Sequence, residues 1–143
     1  MDKCIFCKIA QGKEEKTTLL YQDDELVVFK DHRPAASHHY LITSVEHIKD
    51  VRELTGKHVE LVERLIAVGK QVLEEQGGNT ADARIGFHWP PVTTIQHLHL
   101  HVIAPEAEMN WFWRLVFKLN SYWFVSGEYM IKRLTAMREN GEL

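Results

Sequence analysis

Between positions 96 and 105 the chain reads QHLHLHVIAP, with His97, His99 and His101 at every second place and Leu98, Leu100 and Val102 between them. Alternation of this kind is a strand pattern, because successive side chains of a strand project to opposite faces. One face is therefore aliphatic and turned to a core, and the other is a row of imidazoles. Neighbours in the row stand about 6.6 Å apart and the outer two about 13 Å, so all three cannot meet on one zinc ion at bond lengths of about 2 Å. Two neighbours could chelate an ion. The row as a whole suits a working centre, His99, with a helper on each side.

The remaining segments build a fold around that strand. LLYQ and ELVVFKD flank Asp23 and Asp24 as a hairpin with a tight acidic turn, and HYLITS resumes a strand after the loop HRPAASHH. From Thr55 to Gln76 apolar residues recur at three- and four-residue steps, which predicts one long helix stopped by Gly77 and Gly78. ARIGF reads as a fourth strand, the loop HWPPVTT follows, and residues 95–103 form a fifth. A short helix over residues 3–10 opens the chain, and WFWRLVFKLN and GEYMIKRLTAMREN are helical stretches joined by SYWFVS. Strands in runs, one long helix between them and helices at the end predict an α+β fold with a five-stranded antiparallel sheet. Residues 1–143 read as a single domain, with 106–143 a helical, aromatic extension.

A length of 143 residues with 45% apolar content can bury a core without disulfides. The net charge of −3 comes from interspersed acids and bases, and no basic stripe points to nucleic acid. No apolar run reaches the length of a signal peptide or a membrane span. With two cysteines in all, Cys4 and Cys7, a reducing intracellular setting is expected.

A neutral imidazole is a good nucleophile near pH 7 when one nitrogen is protonated and held by an acceptor, leaving a lone pair on the other. Attack on phosphorus would give a phosphorus–nitrogen intermediate that water opens, with flanking donors steadying the phosphate oxygens. The pair Cys4-x-x-Cys7 has three readings: a redox couple, two incidental buried thiols, or half a metal site.

HLHLHVI fits the histidine-triad pattern at all seven positions, and the chain resembles that family along nearly its whole length. CIFCKIAQG, VVFKDHRPAASHHYLI and the triad segment agree in order and spacing. GFHWPPVTTIQHLHLH and NSYWF resemble the branch of the third histidine-triad nucleotide-binding proteins, which are nucleoside phosphoramidase relatives. The resemblance implies a homodimer that binds a purine nucleotide, cytoplasmic with the nucleus as an alternative, and a dimer interface on the helix of residues 55–76. It makes His99 the residue that becomes nucleotidylated and Asp31 the ribose carboxylate. His32 then stands where the family has an aliphatic residue against the nucleoside. His39 matches a further family histidine, Thr94 a phosphate-binding hydroxyl, and His88 replaces a polar residue. His97, Leu98 and His101 complete the nucleotide-binding set, and His88 or His101 would protonate a leaving amine. No cofactor is implied for catalysis, but relatives with the cysteine pair hold a structural zinc, here mapped to Cys4, Cys7, His47 and His97.

Hydrolysis of adenosine 5′-monophosphoramidates is the activity the resemblance implies. The alternatives are hydrolysis or transfer on dinucleoside polyphosphates, a nucleotide-binding scaffold, and a metal-dependent hydrolase using the histidine row. The scaffold would work through NWFWRLVFKLNSYWF, with three tryptophans, three phenylalanines and a tyrosine in 15 residues. That segment is expected chiefly in core or dimer packing, with a partner or membrane surface and a lid over the site as other readings.

Overall fold

A computed structural model describes residues 4–10, 17–92 and 95–143. The elements are α1 (Ile5–Ala10), β1 (Leu19–Gln22), β2 (Leu26–Lys30), β3 (His38–Ser44), α2 (Val59–Glu75), β4 (Arg84–His88), β5 (His99–Ala104), α3 (Trp111–Val116), β6 (Phe124–Ser126) and α4 (Gly127–Glu139). The fold is α+β, and the antiparallel sheet has six strands where five were expected, in the order β1-β2-β3-β5-β4-β6. The additional strand lies in SYWFVS, where β6 pairs with β4 through Gly86↔Ser126, Phe87↔Val125 and His88↔Phe124.

Register decides what each face carries. Across β3 and β5 the pairs Thr43↔His99, Leu41↔His101 and His39↔Ile103 share one face, while Ile42↔Leu100 and Tyr40↔Val102 share the other. The second face is the larger core, where Leu100, Val102, Ile42 and Tyr40 pack with Val62, Leu65, Val72 and Leu73 of α2 and Met130 and Leu134 of α4. Helix and sheet approach closely at Gly69, where a Cβ would stand 2.9 Å from Val102 Cγ2. Gly77 ends the helix with φ of +89°, a conformation in which glycine has no steric penalty.

The histidine-bearing face is covered from both sides. Phe6, Ile9 and Ala10 of α1 pack on Val27, Phe29 and Leu41. Met109, Phe117 and Phe124 pack on Ile103 and Ala35. Between these two covers runs a narrow strip where the triad lies, with His97 and His101 buried and His99 half-buried.

Three expectations need correction. Strand β5 begins at His99, so His97 precedes the strand that was expected to carry it. Helix α3 has six residues where ten were expected, because Phe117 leaves the helix for the interior and Asn120 turns the chain with φ of 61°. Residues 106–143 are no appendage: they supply a strand, one wall of the strip and a helix of the main core. Separately, α2 packs its buried apolar residues on the sheet and on α4. It shows Glu60, Glu63, Lys70, Gln71 and Glu74 to solvent.

Leu134 on α4 is fully buried against α2. Leu134→Ala is expected to cost about 2–5 kcal/mol in urea unfolding, against a few tenths for an exposed position on the same helix. A small loss would mean that α4 is not part of the cooperative core.

Candidate active site

The ring of each histidine is fixed by partners that reveal where its proton lies. His99 Nδ1 is 2.7 Å from the carbonyl oxygen of His97. A carbonyl only accepts, so Nδ1 carries the hydrogen and Nε2 keeps its lone pair. His99 is half-buried, and burial first, with neighbouring imidazoles, pushes its pKa down to about 4. The ring is therefore neutral near pH 7, the form that can attack.

His39 and His101 form a directed pair. The backbone N–H of Ala35 donates to His39 Nδ1 at 3.0 Å, so the proton of His39 sits on Nε2. That N–H points at His101 Nδ1, 2.9 Å away, and lies 3.4 Å from Asp31 Oδ2. His101 must then carry its hydrogen on Nε2. Among the described residues this is the one buried side-chain nitrogen or oxygen with no hydrogen-bond partner. A buried donor without an acceptor is costly unless something else fills the role. Burial pushes His39 down to about 4 and His101 well below its ordinary value.

His88 sits edge-on to His101 with centroids 5.0 Å apart, and its Nε2–H donates to the carbonyl of Val116 at 3.1 Å. Burial lowers its pKa as well. Phe117 touches His39, His88 and His101 at centroid distances of 5.3, 4.9 and 4.9 Å. One ring from the C-terminal segment thus excludes water from three imidazoles. A shallow cleft beside His99 is lined by Asp50, Phe87, His88, Ile95 and Lys49, the lone lysine or arginine on its walls.

His97 plays a different part from the one expected in nucleotide binding. Its ring is fully buried, Nε2 donates to the carbonyl of Ser44 at 2.7 Å, and the lone pair on Nδ1 faces Cys4 Sγ at 3.3 Å and Cys7 Sγ at 3.4 Å. His47 Nδ1 stands 3.2 Å from Cys7 Sγ. The ligand atoms of Cys4, Cys7, His47 and His97 all lie within 4.8 Å of one another. Tetrahedral zinc with these donors has sulfur–nitrogen edges of about 3.5 Å, so the set fits a thiophilic cation. Burial, and then Cys4, raise the Cys7 thiol to about 11. A metal ion at the sulfurs would displace that proton.

Asp31, His39 and His101 also cluster within 4.8 Å. Here the donor set does not fit a cation: the N–H of Ala35 occupies His39 Nδ1 and leaves a proton, not a lone pair, facing the cluster. Metal-dependent hydrolysis on the histidine row loses its footing for this reason.

The other expected residues fall less centrally. Asp31 is brought to His39, with Oδ1 accepting the N–H of Arg33 at 2.8 Å. The side chain of His32 is 90% exposed. Leu98 is buried against the main core, its N–H donates to Ile48 O, and it lines the cleft beside His99. Thr94 lies outside the described residues. The sequence reading missed Phe6 and Phe117. Phe6 sits visibly inside CIFC, whereas nothing local marks Phe117 as different from the other aromatics of its segment.

The geometry defines a histidine-triad hydrolase, and comparison with known proteins agrees. A model of the family described as "Scavenger mRNA decapping enzyme C-term binding" matches residues 3–116. The chain belongs to the histidine-triad (HIT) family. It is 43% identical over 134 residues to the Xenopus tropicalis protein named adenosine 5′-monophosphoramidase HINT3, covering 93% of this chain and 88% of that one. The mouse protein of that name is 44% identical, over 92% of this chain and 81% of its own length. Among solved structures, a HIT family hydrolase from Legionella pneumophila superposes with a TM-score of 0.69 at 29% identity, covering 76% of this chain and 97% of that one.

The depressed histidines set the acid stability. An unfolded chain protonates them near pH 6.5, whereas the folded chain resists down to about 4 for His39 and His99. The unfolded state therefore binds more protons across that window, and stability falls as the pH drops through it. Thermal scans should give a level Tm above about pH 7 and a steep decline from about 6.5 towards 4. A Tm unchanged down to the lower limit would show the rings to be solvated.

Proposed function

We propose that the protein hydrolyses nucleoside phosphoramidates, with adenosine 5′-monophosphoramidates as the leading substrates. The observation that carries the reading is the bond from His99 Nδ1–H to the carbonyl of His97, which presents a neutral Nε2 lone pair beside the cleft. The names of the Xenopus and mouse relatives support the same chemistry.

In this mechanism the nucleotide enters with its ribose hydroxyls on Asp31, whose carboxylate can accept from two neighbouring hydroxyls. His99 Nε2 attacks the α-phosphorus, a P–Nε2 bond forms and the P–N bond to the amine breaks. His101 Nε2–H is a buried donor without a partner among the described residues, and His88 has given its N–H to Val116. The leaving amine takes its proton from the His39–His101 pair. That pair is neutral in the free protein, so it must first gain a proton as the anionic phosphate arrives. Water then opens the phosphorus–nitrogen bond, AMP departs, and the proton released by water returns to the pair. An ion held by Cys4, Cys7, His47 and His97 would supply a cross-link and no reactive species. Free, reduced thiols are required for it, which favours a reducing compartment.

Two measurements test this. Rapid mixing with an adenylated amine should release one equivalent of amine in a burst, with the nucleotide retained on a peptide containing His99, and His99→Ala should release none. Turnover by His99→Ala at the wild-type rate would rule out the assignment. Calorimetry of AMP binding in buffers of different ionisation enthalpy should show net proton uptake near pH 7, because the histidines start neutral. Binding without uptake would require another source for the amine's proton.

A further inference from the structure

The turn that joins Cys4 to Cys7 brings a third side chain into the site. Phe6 is 6% exposed, and its ring stands edge-on to His99 with centroids 5.0 Å apart and planes at 85°. It meets His97 at 6.0 Å and Phe29 at 5.2 Å in the same manner. The N–H of Cys7 donates to Cys4 Sγ at 3.3 Å, so the first turn of α1, which carries Phe6, is capped by sulfur.

Among the described residues His99 has one hydrogen bond to the protein, through Nδ1. A single bond fixes the tautomer and leaves the ring free to swing about the donor axis. An aromatic ring packed perpendicular to it removes that freedom. The acceptor of the bond belongs to His97, whose own ring nitrogen faces the two sulfurs. The His99 ring also meets His101 edge-on at 4.9 Å, while the acceptor carbonyl and the Phe6 edge both hang on the cysteine turn.

We propose that Phe6 is a positioning residue for His99, and that a thiophilic divalent cation in the Cys4–Cys7–His47–His97 cluster holds Phe6 in place. The proposal rests on His99 as nucleophile. Loading the cluster would form bonds from the cation to the Cys4 and Cys7 sulfurs and to one ring nitrogen each of His47 and His97, with the two thiol protons released to solvent. The cluster thereby acts on catalysis from outside the reacting atoms: it sets the orientation of the attacking ring.

The test compares the zinc-loaded protein with its Phe6→Leu variant, using Phe6→Met should leucine prevent folding. Three readouts are taken: bound zinc, the saturated rate of the amine burst, and the long-range proton–nitrogen spectrum of the histidine rings. The variant should keep one equivalent of zinc, burst about ten- to a hundredfold more slowly, and shift or broaden the His99 ring signals. Phe6→Tyr, which keeps the aromatic edge, should recover most of the rate. Removing zinc from the wild type should move the same ring signals and slow the same step, and should add nothing further in Phe6→Leu. An unchanged saturated rate with unchanged His99 signals overturns the proposal, as do losses from chelation and substitution that simply add. A wild type lacking any His99-dependent burst would refute the nucleophile instead, and the ring spectra would still decide whether Phe6 orients His99.

Discussion

The bond from the ring of His99 to the backbone oxygen of its neighbour two places earlier is the contact on which the site's chemistry rests. A local bond of this length needs the chain before β5 to be anchored, because a mobile carbonyl would hold no ring. His97 provides the anchor through its buried ring, tied on one side to Ser44 and on the other to the cysteines. The remainder of the sheet brings that anchor into register with His39 and His101.

Burial does the rest. Rings set among apolar covers lose the stabilisation that water gives an imidazolium, so they stay neutral where free histidine would be partly charged. Phe117 and Phe6 are the two ends of that arrangement, one against the donor pair and one against the attacking ring. The site thus has little positive charge of its own, and the proposed mechanism depends on the substrate to bring proton and charge together.

Much of this was legible in the chain. Alternation from His97 to Val102 placed an aliphatic face and an imidazole face correctly for His99 and His101, since that pattern reports a strand's own geometry. The long helix was legible because its apolar period is strong over 17 residues. What stayed hidden is decided between distant segments. Strand β6 has three residues and exists because it pairs with β4, and Phe117 leaves a helix-forming run to meet histidines from β3, β4 and β5. The tautomers of His39 and His97 depend on carbonyl and amide groups that a sequence pattern does not locate.

The outermost strands have a consequence for how such molecules coexist. β1 offers four residues, with a bulge between Leu19 and Tyr21, and β6 offers three. Short or kinked borders give an incoming chain too few aligned amides to dock against. Edges this short are poor templates for adding a further strand from a second molecule.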